Sequence, residues 1–424
     1  MTGATDLTGP IAYLSGEYPR ATDTFIQREV AGLRALGVKV LTCSVRRTGS
    51  AHHVGPEQRA EFAATFQVQQ QAKRPLALIG AHLALLAHNP KGWFGTIGLA
   101  ARTCPPGIKA LLWQIFYFLE AGVLARYLQT QGVIHLHNHF ANSSCSVAML
   151  ASRMSGIPFS FTLHGPAIFF EPHYWRIGTK MAEARFVACI SHFCRAQAML
   201  FADQADWPKL KIVHCGVEPE RYARNEEAPR GKRLLFVGRL DAIKGVPLLL
   251  EALAAVRTSH PEAVLTIVGD GPHRRQLEDQ TRALGLEAAV TFTGYQAQDA
   301  VADLLSKSDM LVLPSFAEGV PVVLMEGMAA GLPVIASQVA GVPELVEDGV
   351  AGYAIPAGDT AALTDRIDRL LSDPALCARM GAAGRARVVA GYDARDEAAW
   401  LARLVSGSLA DQLPSGLRTG IDIR

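Results

Sequence analysis

The chain has 424 residues, of which 49% are hydrophobic and 19% are charged, and its 41 basic and 39 acidic residues give a formal net charge of +2. This length exceeds a single typical core and the composition excludes a disordered chain, so two large domains are expected. The near-neutral charge argues against nucleic acid as the main partner, because proteins that bind phosphate backbones carry a basic excess. Residues 1–220 hold 20 basic and 13 acidic side chains, so the first half carries +7 and the remainder −5.

The seven cysteines are dispersed and form no C-x-x-C pair, which indicates reduced thiols in a cytoplasmic protein without a disulfide framework. The apolar run at residues 11–14 is too short for the core of a signal peptide. The charge-free stretch between Arg74 and Lys91 holds 16 residues, fewer than the ~20 that span a membrane. We therefore expect a cytoplasmic chain that at most lies on a membrane surface.

Short apolar runs alternate with longer helical patterns, which predicts βαβ units and parallel sheets. In the first half the predicted strands are residues 11–15, 38–45, 133–137, 158–164, 186–191 and 211–215. In the second half they are residues 233–237, 264–268, 290–293, 310–314 and 333–337, separated by helices near 245–258, 274–284, 297–307 and 320–330. The pattern predicts two doubly wound α/β halves.

The domain boundary is expected where the polar segment 219–232 interrupts the apolar periodicity before a new strand. This places an N-terminal domain at 1–220 and a C-terminal domain at 221–392. A final helix and tail at 393–424 could cross back to the N-terminal domain.

Residues 73–130 lack strand patterns and predict a helical insertion, with helices at 76–87 and 109–128. The second helix carries several aromatic residues in succession, and two interpretations stay open. The aromatic side chains could form a buried core, or the helix could rest on an anionic membrane. The basic residues that would assist membrane contact are Arg74, Lys91, Arg102 and Lys109.

A candidate anion site follows the strand at 233–237. Gly238 and Arg239 occupy the turn, and Lys244 precedes the next helix. Backbone N–H groups at a helix start and two nearby cations favour an anion such as a diphosphate. Gly294, which ends a later strand, could bring its backbone to the edge of a nucleobase at the carboxyl end of the sheet.

Two carboxylates follow the strand at 310–314. With a helix predicted from residue 320, Glu318 and Glu326 are expected about two turns apart on nearly the same helix face, where they could reach two ends of one elongated ligand. The N–H groups of Gly319 and Val320, at the expected helix start, are candidates for binding anions or sugar oxygens. A solvated Glu326 is an unsatisfactory alternative, because the helix is otherwise apolar.

Three histidines alternate at 135, 137 and 139, so they would share one strand face. No carboxylate or cysteine accompanies them in the sequence, and a metal site is not predicted. His139 is expected at the end of its strand, and His164 ends the next strand before Gly165.

These motifs, together with residues 341–344 (GVPE), resemble in order and spacing the retaining glycosyltransferases of the GT-B fold that are called group 1 or family 4. Residues 15–20 (SGEYPR) and 24–29 (TFIQRE) resemble the exopolysaccharide subgroup that includes colanic-acid-type transferases. The resemblance implies two doubly wound Rossmann-like domains facing each other across a cleft. It also implies transfer of a hexosyl group from a nucleoside-diphosphate-sugar to a hydroxyl of a glycan or lipid-linked acceptor.

The resemblance assigns roles to particular residues. Arg239 and Lys244 would hold the diphosphate, and Glu326 would bind the ribose. Glu318, assisted by the segment Gly319-Val320-Pro321, would bind hydroxyls of the donor sugar. His164 would approach the transferring sugar. The remaining candidates are Gly16, in the first strand-to-helix turn near the donor phosphate, and Glu17, His139 and Glu171 on the acceptor side.

The chain departs from its presumed relatives after His164. They often carry an Asp shortly after this His, whereas this chain has Pro166-Ala167-Ile168, which leaves Glu171 or His173 to replace it. No metal or other cofactor is expected, because two cations can stabilise a leaving diphosphate and the sequence has no D-x-D-type cluster. A nucleotide-sugar epimerase or soluble-acceptor synthase of the same fold, and a non-catalytic two-domain sugar-binding protein, remain alternatives.

Overall fold

A computed structural model describes residues 7–20, 22–53, 55–222 and 232–418. The described residues form two compact units, of which the first contains the residues up to His214 together with residues 395–418, and the second is Cys215–Ala394. The division therefore falls after residue 214, before the segment 219–232 that was predicted as the linker. Within that segment Pro219–Tyr222 is a 3-10 turn, and residues 223–231 lie outside the described residues.

The first unit is built on a seven-stranded parallel sheet with the order β3-β2-β1-β4-β5-β6-β7. The strand order along the sheet reverses direction between β1 and β4. Open α/β sheets bind ligands at such a reversal point, outside the carboxyl ends of the strands. The strands are β1 (Ile11–Glu17), β2 (Val40–Arg46), β3 (Phe66–Gln67), β4 (His135–His139), β5 (Phe159–Leu163), β6 (Val187–Cys189) and β7 (Leu210–Ile212).

Ten helices of the described residues belong to this unit. They are α1 (Thr24–Ala35), α2 (Pro56–Ala64), α3 (Val68–Ala72), α4 (Pro75–His88), α5 (Pro90–Thr103), α6 (Ile108–Thr130), α7 (Ser143–Ser155), α8 (Ile177–Glu183), α9 (His192–Met199) and α17 (Ala394–Leu409).

The segment predicted as a helical insertion is helical, with α5 as a helix that the sequence pattern did not separate from its neighbours. Among the described helices, α6 is the one that is long and apolar enough by composition to cross a membrane. Its second half is nevertheless buried against the protein, at Ala121, Val123, Leu124, Ala125 and Leu128. The second half of α6 thus belongs to the core of the first unit.

The last helix completes the core of the first unit. Trp400, Leu401, Leu404 and Val405 of α17 belong to the same buried cluster as residues of β1 and α1. The Trp400 indole N–H donates to the carbonyl oxygen of Ile212 at 2.9 Å, so the one polar atom of this side chain is satisfied within the core.

The second unit repeats the doubly wound plan in six parallel strands with the order β10-β9-β8-β11-β12-β13. Here the order reverses between β8 and β11. The strands are β8 (Arg233–Val237), β9 (Val264–Val268), β10 (Val290–Gly294), β11 (Met310–Leu313), β12 (Val334–Ser337) and β13 (Gly352–Ile355), and the helices are α10 (Val246–Val256), α11 (Arg274–Ala283), α12 (Gln298–Lys307), α13 (Val322–Ala329), α14 (Val342–Leu345), α15 (Thr360–Ser372) and α16 (Pro374–Gly391).

Candidate active site

The loops that follow β8 and β11 lie side by side, because these strands are neighbours at the reversal point of the second sheet. The Phe316 N–H donates to the Ile243 carbonyl oxygen at 2.7 Å. Gly245 has φ +66°, and a Cβ atom there would lie 2.0 Å from the Pro314 carbonyl oxygen. Glycine is the residue that permits both this left-handed backbone and this close approach.

The two loops bring together two side chains that are 74 positions apart in the sequence. Lys244 Nζ donates to Glu318 Oε1 at 2.6 Å. Their side chains are 23% and 10% exposed, so the pair is partly withdrawn from water and yet reachable. An ammonium has three donors and a carboxylate has two acceptor oxygens, so each group keeps capacity for a ligand while it holds the other in place.

Glu318 does not lie on a helix, and the predicted alignment of Glu318 and Glu326 on one helix face is wrong. Helix α13 begins at Val322, after Pro321. A proline disfavours helical backbone in the residue before it, which keeps Val320 out of the helix. Gly319 and Val320 therefore belong to the loop, where the Gly319 carbonyl oxygen accepts the Gly341 N–H at 3.0 Å.

Arg239 lies on the same loop as Lys244 and has a different partner. Its Nε donates to Asp241 Oδ2 at 2.6 Å, and its side chain is 61% exposed. Gly238, before it, donates its N–H to the Val268 carbonyl oxygen at 2.9 Å, which continues the β8 and β9 pairing past the strand end. A long, exposed guanidinium is free to turn toward an anion at small cost, since an exposed ion pair contributes about 0–1 kcal/mol.

Glu326 is buried on α13, where its Oε1 accepts the phenolic O–H of Tyr222 at 2.9 Å. Tyr222 was not among the predicted site residues. It lies before the second sheet, in a segment that has no periodic pattern to indicate what its side chain contacts. Gly294 ends β10 with φ +70°, and its carbonyl oxygen accepts the Gly269 N–H at 2.9 Å. The predicted site residues Glu326 and Gly294 thus each contact a neighbouring element of the second unit.

In the first unit the structure corrects the position of Gly16. Strand β1 runs to Glu17, so Gly16 lies within the strand and not in the turn that follows it. A Cβ atom at Gly16 would meet Arg46 Nη2 at 3.8 Å, an ordinary contact. Glu17 pairs with Arg46, whose Nε lies 3.1 Å from Glu17 Oε1.

A second cluster lies at the carboxyl end of β4, next to the reversal point of the first sheet. His139 Nδ1 lies 2.9 Å from His164 Nε2, and His139 Nε2 lies 3.2 Å from Glu29 Oε1. The Tyr13 hydroxyl donates to the same Glu29 oxygen at 2.6 Å. Two predicted residues, His139 and His164, are therefore in direct contact, and Glu29 and Tyr13 join them without having been predicted.

A signal for Glu29 was present in the sequence. Phe25 and Glu29 are four positions apart on α1 and so share a helix face. That face meets the histidines, since the Phe25 ring lies 4.8 Å from the His164 ring. Residues 24–29 resemble a segment of known enzymes. The spacing of Phe25 and Glu29 alone, however, does not indicate what this face of α1 contacts.

Burial determines the charges in this cluster. It lowers the pKa of His139 to about 3. Burial, reinforced by His139, lowers the pKa of His164 well below its usual range. Burial raises the pKa of Glu29, while the nearby His137 and the Tyr13 hydrogen bond oppose the increase. The imidazoles of His139 and His164 are consequently neutral near pH 7.

The fold also brings a carboxylate to the alternating histidines, which the sequence did not indicate. One ligand atom from each of Glu29, His137 and His139 lies within 4.8 Å of the others, a spacing that could hold a metal ion. His137 uses Nδ1 toward Ser160 Oγ at 2.8 Å and Nε2 toward Thr162 Oγ1 at 2.9 Å. Both nitrogens of His137 thus already contact hydroxyl groups of β5.

Glu171 and His173, considered as replacements for the missing Asp, are both exposed. They follow the 3-10 turn Ala167–Phe170, beyond the end of β5. The structure does not bring either side chain into the hydrogen bonds that link His139 and His164.

Comparison with known proteins gives concordant matches. Residues 218–387 match the family model of glycosyl transferases group 1. The chain is 36% identical over 312 residues to an alpha-D-kanosaminyltransferase of Streptomyces kanamyceticus, covering 68% of this chain and 78% of that protein. It is 34% identical over 188 residues to the amylovoran biosynthesis glycosyltransferase AmsK of Erwinia amylovora, covering 42% and 46% of the two chains.

Solved structures match over nearly the whole chain. Sucrose-phosphate synthase from Thermosynechococcus elongatus gives a TM-score of 0.73 at 21% identity, covering 95% of this chain and 100% of that one. HepE from Anabaena in complex with UDP gives 0.69 at 18% identity, covering 95% and 98%. With two parallel-sheet Rossmann-like units and these neighbours, the predicted GT-B fold is confirmed.

Proposed function

The chain belongs to the group 1 glycosyltransferase family, and from this premise we propose that it moves a sugar from a nucleoside-diphosphate-sugar to a hydroxyl of a glycan or lipid-linked acceptor, with retention at the anomeric carbon. We propose exopolysaccharide or cell-surface polysaccharide biosynthesis as its setting, supported by the amylovoran transferase and a teichuronic acid biosynthesis glycosyltransferase of Bacillus subtilis among the relatives. The observation that carries the proposal is the contact of Lys244 with Glu318 at the reversal point of the second sheet.

The proposed mechanism uses the charge of this pair. As the bond to the anomeric carbon breaks, the leaving diphosphate gains negative charge, and Lys244 and Arg239 would stabilise that charge where it develops. Glu318, held 2.6 Å from Lys244, would accept hydrogen bonds from hydroxyls of the donor sugar. The oxygen of the acceptor hydroxyl would bond to the anomeric carbon, and the leaving phosphate would take the proton of that hydroxyl, so that no separate general base is required.

The nucleoside would bind beside α13. Tyr222 donates to Glu326 Oε1 at 2.9 Å and so orients this buried carboxylate, which we assign to the ribose hydroxyls. We assign the base to the strand end at Gly294, and His164 to the transferring sugar. UDP-bound and GDP-mannose-dependent proteins both occur among the matches, so both bases belong in the test.

The test is a transfer assay with UDP-sugars and GDP-sugars, offered with lipid-linked and soluble acceptors in the presence of EDTA. We expect one nucleotide-sugar to raise the melting temperature by mass action and to release its nucleoside diphosphate when an acceptor is present. Transfer that continues in EDTA supports the proposed metal independence, which rests on two cations at the diphosphate. Conversion of the donor sugar without an acceptor would instead reveal an epimerase, and loss of turnover in EDTA would contradict metal independence.

We also propose that the first unit contacts an anionic membrane on the cytoplasmic side, where a lipid-linked acceptor would be found. Between Phe62 and Leu119 the sequence has no Asp or Glu, and it contains Lys73, Arg74, Lys91, Arg102 and Lys109. Each basic residue near an anionic surface contributes about 1 kcal/mol to binding.

The helices of this segment expose an unusual number of large apolar side chains. Helices α4, α5 and the first half of α6 pack on one another and form what we call the apolar helical surface. Trp113 is 46% exposed and Phe116 54%, so these two residues do not fit the interpretation of the aromatic side chains as a buried core. The exposed side chains are Leu76, Ile79, Leu83, Phe94, Ile97, Ile108, Leu111, Leu112, Trp113, Ile115 and Phe116. Such surfaces mark sites of protein or membrane contact.

Replacing both Ile108 and Phe116 with Glu is expected to abolish binding to phosphatidylglycerol vesicles at low salt. The change removes apolar side chains that would insert into the membrane, and it adds negative charge that anionic lipids repel. Co-sedimentation with vesicles measures the effect. Leu200→Glu changes a leucine outside the apolar helical surface whose exposure, 71%, lies between those of Ile108 (80%) and Phe116 (54%), and it should leave vesicle binding as in the wild type. A wild-type protein that stays in the supernatant with anionic vesicles would refute membrane contact.

A further inference from the structure

The first unit buries the ammonium group of Lys180, which lies on α8 and is 1% exposed. Its Nζ donates to the carbonyl oxygens of Ala141 and Asn142, at 2.7 and 2.9 Å. Neither partner carries a full negative charge, and the Trp175 ring beside the ammonium, with its centroid 5.6 Å from Nζ, is also neutral. A buried charge is unfavourable unless its hydrogen bonds are satisfied. Lys180 is therefore tied to one short segment of backbone at residues 141–142.

The segment that Lys180 holds is the connection between β4 and α7, residues 140–142, which we call the β4 turn. Phe140 has φ +69°, a left-handed backbone that residues other than glycine rarely adopt. The Phe140 N–H donates to the Thr162 carbonyl oxygen at 3.1 Å, and the Phe140 carbonyl oxygen accepts from Asn138 Nδ2 at 2.7 Å. The β4 turn is thus fixed at its start by β4 and β5, and at its end by the side chain of Lys180.

The β4 turn determines where two rings meet His164. The Phe140 ring lies in the turn, with its centroid 4.6 Å from that of the His164 ring. His139, the last residue of β4, places its Nδ1 2.9 Å from His164 Nε2. Its Nε2 lies 3.2 Å from Glu29 Oε1, so α1 holds the same ring from the other side. A shift of the turn would therefore change the packing around His164, the residue that we assign to the transferring sugar.

Stability alone is a weak reason for a lysine at this position. Helix α7 begins at Ser143, so the positive end of its dipole lies next to the β4 turn, where a cation is unfavourable. Burial lowers the pKa of Lys180 to about 8, and the nearby Cys145 opposes the decrease. An apolar side chain would avoid both effects, but it could not hold two carbonyl oxygens in fixed positions.

We propose that Lys180 is a positioning residue that fixes the β4 turn and thereby holds His139 and Phe140 against His164. The inference rests on the proposed function for the use of His164 in sugar transfer, while the position of the turn depends on the first unit alone. Lys180 acts without touching a substrate, because a displacement of about 1 Å at a reacting centre can lower the rate by about 100-fold.

Replacing Lys180 with Met keeps the length of the side chain and removes its N–H donors. We expect kcat to fall by about 10-fold to 100-fold. The donor KM should stay within about twofold, because the proposed diphosphate and ribose contacts belong to the second unit. Steady-state transfer at varied donor concentration measures both quantities.

Lys211 provides a matched control in the same unit. It is 2% exposed, and its Nζ likewise donates to two backbone carbonyl oxygens, those of Pro414 and Gly416. These carbonyls follow α17 and do not belong to the β4 turn. Lys211→Met should therefore lower the melting temperature and leave kcat within about twofold. Equal losses of kcat in Lys180→Met and Lys211→Met, measured well below both melting temperatures, would refute the positioning role.

The ring signals of the histidines report position, which a loss of stability does not change in the folded protein. The full chain is labelled with ¹⁵N-histidine, and His139 and His164 are assigned by the signals that His139→Gln and His164→Gln remove from a proton–nitrogen correlation spectrum. We expect Lys180→Met to shift the signals of both residues and to leave that of His260, in the second unit, in place. Lys211→Met should shift none of the three. Unchanged His139 and His164 signals in folded Lys180→Met would overturn the proposal.

Lys180→Gln keeps the proposal testable if Lys180→Met does not fold. The Gln side chain has two N–H donors but is one bond shorter, so it cannot reach both carbonyl oxygens as Lys180 does. Its kcat should fall by about 3-fold to 10-fold, the equivalent of one weakened hydrogen bond. A folded Lys180→Gln variant with wild-type kcat and wild-type His139 and His164 signals would likewise contradict the proposal.

The outcomes separate this inference from the proposed function. A wild type that transfers no sugar, and in which Lys180→Met still shifts the His139 and His164 signals, refutes the function and supports the positioning of the turn. An active wild type whose Lys180→Met variant keeps its kcat refutes the role of Lys180 and leaves the function intact. Circular dichroism and thermal unfolding of each variant identify losses that come from unfolding.

Discussion

Replacing Lys244 with Ala is expected to lower kcat by about 100-fold to 1000-fold, the magnitude seen when an enzyme loses one group that stabilises developing negative charge. In this chain Lys244 is the cation held beside Glu318, where the loops after β8 and β11 meet. Its loss also leaves the carboxylate of Glu318 without this cation, so that a diphosphate would approach an uncompensated negative charge. Steady-state transfer rates at saturating donor measure the effect.

A matched control distinguishes this site from any lysine in an ion pair. Lys307 also contacts a carboxylate, Asp303, at 2.7 Å in the second unit, but it lies exposed on α12. Lys307→Ala should leave kcat within about twofold and change stability by less than about 0.5 kcal/mol. Transfer by Lys244→Ala at the wild-type rate would refute the assignment of the donor site.

The double variant Lys244→Met with Glu318→Gln separates catalysis from structure. Removing both charges relieves the uncompensated carboxylate that Lys244→Ala leaves behind, so the melting temperature should recover toward that of the wild type. Activity should stay low, because neither the diphosphate nor the sugar hydroxyls would meet their charged partner. A double variant that regains turnover would show that the pair is only structural.

Replacing Leu404 with Ala is expected to destabilise the protein by about 2–5 kcal/mol, the range for removing a fully buried leucine. Leu404 lies on α17, far along the sequence from the sheet it covers, and it belongs to the buried cluster with Ile11, Ile26 and Leu33. Urea unfolding followed by circular dichroism measures the change as a lower midpoint.

Leu409 on the same helix provides the control for this prediction. It is 36% exposed, whereas Leu404 is fully buried, so Leu409→Ala removes less buried area and should cost less than Leu404→Ala. Equal losses for Leu404→Ala and Leu409→Ala would contradict the packing of α17 in the core of the first unit. A larger loss at Leu404 would show that the C-terminal helix is an integral part of that unit.

Most strands could be predicted from the sequence because each is a short apolar run between turn residues. β8 and β9 begin and end where the sequence pattern places them, at 233–237 and 264–268. The prediction missed β3 and β13, since two residues at Phe66–Gln67 and four at Gly352–Ile355 carry too little pattern to separate from their surroundings. The predicted helix begins at residue 320, two residues before α13. The apolar run extends back past Pro321, but this proline disfavours helical backbone in the residue before it.

The sequence by itself determined the class of fold, the identity of the charged residues and the family resemblance, because these depend on local periodicity and on short motifs. Only the tertiary structure decided which side chains meet. Lys244 reaches Glu318 across 74 positions, because parallel strands bring distant loops to one edge of a sheet. His139 reaches Glu29 across 110 positions, because helix α1 lies beside the carboxyl end of β4. It likewise decided that α6 buries its second half and exposes Trp113 and Phe116, since an apolar helix has no local feature that says which side its neighbours will cover.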